Sequence, residues 1–377
     1  METKVIKYLV AFTMSIVLSI SVTACKSEDD TTENSYIPSD AISLSNLTTA
    51  NLEADGVTLM LKDGMRVTGV LNGEKQKVKL VIADGATVVL HEVKVNGYHH
   101  SNDECQWAGI TCAGNATIVL ADGTENVIKG FNKFYSGIEV PEGKTLTIRS
   151  TSGKLTACCN GNGAGIGGIY NTRGVSANRD TNGFTCGNIH IEGGIITAIG
   201  GQGAGIGSGW GGGCGDIIIT GGTVTATGGH DAAGIGSSYG GNCGNISIIG
   251  GTVTASAGLS DGSAGIGGGI RGVCGNISIT GGIVTVKGIG DGAAIGCGYG
   301  DWAHPSSCGN ITISGGIVTA IKGDQSPYSI GKSIDDEPYH SICGSITIGG
   351  IVYYDGTKFL NDNEIALSTN TFDFPSK

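Results

Sequence analysis

The residues of this sequence that could do chemistry come in rows. Six cysteines, Cys186, Cys214, Cys243, Cys274, Cys308 and Cys343, open the block Cys-Gly-Asn-Ile-x-Ile-x-Gly-Gly-x-Val-Thr-Ala or a close variant, at intervals of 28, 29, 31, 34 and 35 residues. A second block, Ala-Gly-Ile-Gly, lies between copies of the first. Four residues after its isoleucine stand Tyr170, Trp210, Tyr239, Ile270 and Tyr299, with Trp302 and His304 close behind the last. Just before the same isoleucines stand Gln202, Asp231, Asp261, Asp291 and Asp324. If the copies stack in register, each row becomes a column, and its chemistry is that of one residue type repeated at strand spacing.

A column of aromatics offers flat π-faces to the apolar C–H faces of sugar rings. The competing outcome is an internal stack, because strict alternation from the isoleucine turns those side chains inward. A column of carboxylates about 5 Å apart repels by ~1 kcal/mol per pair even at the dielectric of water. Either the loops splay, with Asp serving as a turn residue, or a hard cation such as Ca²⁺ bridges Asp231, Asp261 and Asp291. The cysteine column reads as small buried thiols, with disulfides between coils as the alternative. Zinc is disfavoured, since neither Cys-x-x-Cys nor histidines at zinc-ligand spacing occur. Cys105 and Cys112 are the pair best placed for a disulfide. The slot held by Asn188, Asp216, Asn245, Asn276 and Asn310 reads as a hydrogen-bonding turn ladder, and Thr197, Thr225, Thr254, Thr285 and Thr319 as β-branched residues of an exposed strand.

What must position these rows is a repeat. Glycine makes up 69 of 377 residues, far above the usual ~7%, whereas proline is only 6 and charged residues 15%. No three-residue glycine period exists, which excludes collagen, and the low charge excludes a disordered acidic tail. Each unit holds three alternating segments, as in Asn245-Ile246-Ser247-Ile248, Thr252-Val253-Thr254-Ala255 and Ala264-Gly265-Ile266-Gly267. Alternation over so few residues means short strands with one buried face, and the Gly-Gly pairs supply the corners. Upstream, Ala108-Gly109-Ile110, Ser136-Gly137-Ile138, Leu80-Val81-Ile82 and Leu59-Met60-Leu61 continue the pattern, with Asp84-Gly85 and Asp122-Gly123 as corners. The expected fold is all-β: a right-handed parallel β-helix of about ten coils, three short strands each, over residues 56–355. Ten coils at ~4.8 Å predict a length of roughly 45–50 Å. Residues 356–377 form a C-terminal cap. A propeller needs longer units.

The repeat resembles the glycine-rich right-handed β-helix proteins of gut bacterial surfaces, within the broad pectate-lyase-like group. In that group lyases use calcium-holding acidic clusters with a basic residue, and hydrolases use grouped carboxylates; here Arg173, Arg179 and Arg271 are the candidate bases and His230-Asp231 a candidate proton-transfer pair. The start of the chain carries a second resemblance. Lys4 and Lys7 precede the apolar run Tyr8 to Val22, about 15 residues and so too short to span a membrane comfortably. Val22-Thr23-Ala24-Cys25 then resembles a bacterial lipobox, which implies a signal peptide over 1–24 and a lipidated Cys25. Lys26-Ser27-Glu28-Asp29-Asp30 resembles the acidic export signal that sends lipoproteins of Bacteroidota to the cell surface. Residues 25–55 are expected to form a flexible tether, and the acyl chains a stable anchor in the outer membrane.

The net charge is −11, and loss of residues 1–24 removes Glu2, Lys4 and Lys7, a net +1, leaving −12. That balance disfavours nucleic acid and anionic membrane as partners. The leading expectation is a monomeric, surface-anchored β-helix that binds a polysaccharide or surface glycan without catalysis, through Tyr170, Trp210, Tyr239, Tyr299, Trp302 and His304, with Ca²⁺ as the candidate cofactor. Two alternatives stay open. One is a polysaccharide lyase or glycoside hydrolase, although no nucleophile motif is present; the other is a scaffold or adhesin with a protein partner.

Overall fold

The computed structural model describes residues 40–97, 105–159, 161–170, 186–259, 262–333, 340–360, 367 and 371–373, the last three by their backbone. They belong to one compact unit, Thr32–Lys377. The leader, Cys25, Arg173, Arg179 and Asp261 lie outside the described residues.

The chain is a right-handed parallel β-helix. One of its sheets stacks ten strands, one per coil, from Thr58–Leu61 through Ile235–Gly236 to Ile330–Gly331. The segments at 59–61 and 80–82 belong to this sheet. The other two segments of the repeat form parallel rows of their own. Ile217–Ile219 pairs with Ile246–Ile248, then Ile277–Ile279, Ile311–Ile313 and Ile346–Ile348. Thr223–Thr227 pairs with Thr252–Ser256, then Ile283–Lys287 and Ile317–Ile321. A fourth row, shorter than the sequence pattern reveals, runs Asn242–Cys243, Val273–Cys274, Ser306–Cys308 and Ser341–Cys343. Its strands are two or three residues long, too short for alternation to register.

Registers pair like with like, so the core is built from columns of a single residue type. Ile217, Ile246, Ile277 and Ile311 stack directly, as do Ile206, Ile235, Ile266 and Ile295, and all are buried. Burying each such side chain contributes about 1.5–3 kcal/mol before chain entropy is counted. The glycine after each of these isoleucines is required by the backbone. Gly207, Gly236, Gly267 and Gly296 hold φ between 128° and 138°, and a Cβ on any of them would run into the carbonyl oxygen of the next coil's glycine.

Both ends are closed by changes of pattern. The coil begins before residue 56: Ile42–Ser43 pairs with Arg66–Asn72, and Leu44 is fully buried. The tether expected over 25–55 therefore gives way to ordered structure by Ile42. The polarity of the segment concealed this, since its one deep anchor is a single leucine among Ser, Thr and Asn. At the other end, Ile351–Tyr354 turns back antiparallel on Ile346–Ile348, and Thr371–Asp373 lies antiparallel on Ile317–Ile321. Reversed strands of this kind stop edge-to-edge growth.

Candidate functional site

The aromatic row is a row of turns. Gly212 donates its N–H to Gly209, Gly241 to Ser238 and Gly272 to Gly269, so each turn places one residue of the row, Trp210, Tyr239 or Ile270, at its second position. The third position is left-handed: Gly211 at φ 65°, Gly240 at 58° and Arg271 at 54°. Successive turns hydrogen-bond to each other, Gly211 to Tyr239, Gly240 to Ile270 and Arg271 to Tyr299. Side chains at turn positions obey neither strand face, so alternation does not decide their direction here. Tyr170, Trp210, Tyr239, Tyr299 and His304 are half-buried, and Trp302 is 57% exposed.

Ring contacts link this corner across coils. Tyr170 stacks on Phe134 at 5.1 Å and 22°, and Trp210 lies against Tyr239 at 5.5 Å and 48°. Arg271 then spans from Tyr239 to the next coil. Its Nη1 donates to the Tyr239 hydroxyl at 2.7 Å, its guanidinium lies 5.6 Å from that ring, and its Nη2 pairs with Asp301 Oδ2 at 2.6 Å. Asp301 also accepts the His304 N–H at 2.7 Å and has His304 Nδ1 at 3.4 Å. Partial burial acts to raise the Asp301 carboxyl, but the His304 N–H and the Arg271 charge outweigh it and hold it below its ordinary value. Beside this cluster Trp302 lies flat on His340, 4.3 Å apart and 10° from parallel. Phe134, Asp301 and His340 were not among the residues read from the sequence as site candidates, and Arg271 was named only as a candidate base. Register held a clue for Arg271, which stands where neighbouring coils place glycine. Asp301 lies in a turn longer than its neighbours', where no register applies.

The acidic row lies only in part within the described residues. Asp231 takes a left-handed conformation at φ 66° and pairs with His230 Nδ1 at 3.0 Å. Asp291 is half-buried, Asp324 is exposed, and Asp261 is outside the described residues. Among the described residues no group of three His, Cys, Asp or Glu side chains is placed to hold a metal ion.

Two other rows are structural. Each member of the asparagine slot accepts the N–H of the next coil: Asn188 from Asp216 at 2.8 Å, Asp216 from Asn245 at 2.7 Å, Asn245 from Asn276 at 2.9 Å, and Asn276 from Asn310 at 2.8 Å. The ladder continues to Ser345, and an upstream stretch, Asp84 to Asn115 to Thr145, repeats it without the cysteines. The cysteine column is buried; Cys186, Cys214, Cys243 and Cys274 are unbridged thiols, and Cys105 and Cys112 are likewise buried and not bridged to each other. Thiols of Cys214, Cys243 and Cys274 point at glycine carbonyls of the preceding coil, at 3.6, 3.9 and 3.8 Å. Hydrogen bonds within the column, then burial, push the thiols of Cys214, Cys274 and Cys308 well above their ordinary value, and the same bonds lower Cys243 and Cys343. Burial, with the Glu139 charge, pushes Cys112 up to about 12, and burial pushes Cys159 up to about 11 against several backbone hydrogen bonds, so neither is a ready nucleophile.

Residues 189–210, 217–239, 246–270, 277–299 and 311–331 match a family model described as a beta helix repeat, under half of the chain in total. The first four matches run from Ile189, Ile217, Ile246 and Ile277 to the turn residue of the row above, Trp210, Tyr239, Ile270 and Tyr299. No curated protein and no solved structure matches the chain.

Proposed function

We propose that this protein is a cell-surface lipoprotein that binds polysaccharide along its turn corner, without catalysis. The observation that carries the reading is the run of contacts from Trp210 to Tyr239, Arg271, Asp301 and His304, ending beside the exposed, flat Trp302–His340 stack. Aromatic faces receive the C–H faces of sugars, and a paired Arg and Asp offer donors and acceptors to hydroxyls at no net charge. Such a surface suits a chain of sugars better than a small ligand, because it runs across successive coils. The Asp301 carboxyl is held toward its ionised form, which fits its pairing with Arg271. Anchoring through Cys25 would hold the corner at the membrane surface, where polysaccharides are met.

A glycan array with and without Ca²⁺, followed by assay for new reducing or unsaturated ends, tests this. Retention of a polysaccharide with no product supports the binder. Release of product would turn the assignment to a lyase or hydrolase, and no retention of any glycan would leave the scaffold.

A further inference from the structure

Cys297 departs from its row. The position after the Ile-Gly pair is Ser208, Ser237 and Gly268 in the three preceding coils and cysteine in this one. The turn that follows departs too. From Ser208, Ser237 and Gly268 the chain reaches the next ladder cysteine, Cys214, Cys243 or Cys274, in six residues, whereas from Cys297 to Cys308 it takes eleven. The enlarged turn carries Tyr299, Asp301, Trp302 and His304. Its two ends meet at the base: Gly298 donates its N–H to Ser306 Oγ at 3.1 Å, and Cys297 Sγ lies 3.3 Å from Cys308 Sγ. Cys297 is fully buried and Cys308 is 5% exposed.

We propose that Cys297 and Cys308 form a disulfide clasp across the base of this turn. The geometry favours this pair over the other two contacts of the trio: Cys297 with Cys343, which would close a far longer loop, and Cys308 with Cys343, whose Sγ atoms are also 3.3 Å apart. Cys308 and Cys343 are register partners on adjacent parallel strands. Side chains there leave side by side at the ~4.8 Å strand spacing, wider than the Cβ separation of about 3.5–4.5 Å that a disulfide needs. Cys297 follows Ile295–Gly296, a strand of a different sheet from Ser306–Cys308, so parallel-strand spacing does not hold the two apart. The chemistry is thiol–disulfide exchange. One thiolate of the pair attacks a donor disulfide R–S–S–R and expels R–S⁻. The second thiolate attacks the protein sulfur of that mixed disulfide and expels the other R–S⁻. The two cysteines lose two protons and two electrons, and the donor becomes two thiols. Burial places this exchange before the coil closes and shields the finished bond from reductants. The clasp fixes the loop that carries Asp301 and Trp302, and it stands whether or not that loop binds glycan.

The test is peptide mapping of the full chain isolated from an oxidising extracytoplasmic compartment, denatured in N-ethylmaleimide and cleaved with trypsin without reduction. Both cysteines fall in the peptide between Lys287 and Lys322. The clasp predicts this peptide unalkylated and two hydrogens lighter than the dithiol, with the Cys343 peptide alkylated. Two adducts on the 288–322 peptide, or a cross-link from it to the Cys343 peptide, would overturn the proposal. Cys297→Ser, which installs the residue already found at Ser208 and Ser237, provides a folded control. Amide exchange across 298–307 should be at least tenfold faster in that variant, and in the reduced protein, than in the oxidised one. Equal exchange in all three would also refute the clasp.

Discussion

Arg271 sits in a backbone conformation that Gly211 and Gly240 adopt freely in the turns before it. A side chain there costs about 1–2 kcal/mol, and strain of this kind concentrates where a side chain has a task. Its task is visible in the contacts to Tyr239 and Asp301. Arg271→Gly should therefore melt no lower than the parent, and about 1 kcal/mol more stable if the strain outweighs the lost contacts, while losing glycan retention. A variant that binds as the parent does would remove Arg271 from the site. Glu139 makes a second residue-scale prediction. Burial pushes its carboxyl up, against the Thr111 hydrogen bond and the Lys79 charge, which lower it. A carboxyl raised on folding binds its proton more tightly in the folded state. Its ionisation therefore weakens the fold as pH climbs through the raised value, and the cost vanishes below the ordinary carboxyl range. Glu139→Gln should raise the melting temperature at pH 8 and change it little at pH 4; the opposite trend would contradict the burial argument.

At the scale of the element, the unit that matters is the arch Ala-Gly-Ile-Gly with the turn behind it. Gly236 should not tolerate a side chain, because φ is 135° and the Gly267 carbonyl oxygen fills the Cβ position. Gly236→Ala should cost roughly 3–5 kcal/mol by thermal melting, whereas Gly85→Ala, at φ 76° with open space around it, should cost only about 1 kcal/mol. Similar losses at both sites would mean that the arch is less tightly stacked than its register implies. The repeat made these elements legible in the sequence. Ile246, Val253 and Ile266 announce their strands by alternation, and Asn245 declares its ladder by holding a fixed offset from Cys243. The turn row was legible as a row but not as a geometry, since strand alternation does not extend to Tyr239, the second residue of a turn. Asp301 and His340 were not legible at all: the first lies in an enlarged turn, and the second is recruited to Trp302 from another coil. No sequence offset reports a contact of that kind.

At the scale of the molecule, stacking converts one local motif into a surface. Each coil touches chiefly its neighbours, so stability is close to a sum over coils and interfaces, and a row of side chains becomes an extended binding edge without any long-range fitting. The same economy explains the ends: Leu44 covers the first coils, and two antiparallel strands stop the last. If the lipobox reading of Val22 to Cys25 is right, Cys25→Ser should move the protein from the membrane fraction to the soluble fraction; persistence in the membrane would argue for another form of attachment. The central claim, that the turn corner receives polysaccharide, rests on aromatic rings that can be watched directly. The chain has three tryptophans. Trp210 and Trp302 lie on the corner, and Trp107 packs against Phe131 and the apolar core. Fluorine NMR of protein labelled with 5-fluorotryptophan gives one resonance for each. Titration with a glycan retained on the array should shift the Trp210 and Trp302 resonances and leave Trp107 in place. Movement of Trp107 alone, or of none of the three, would contradict the account.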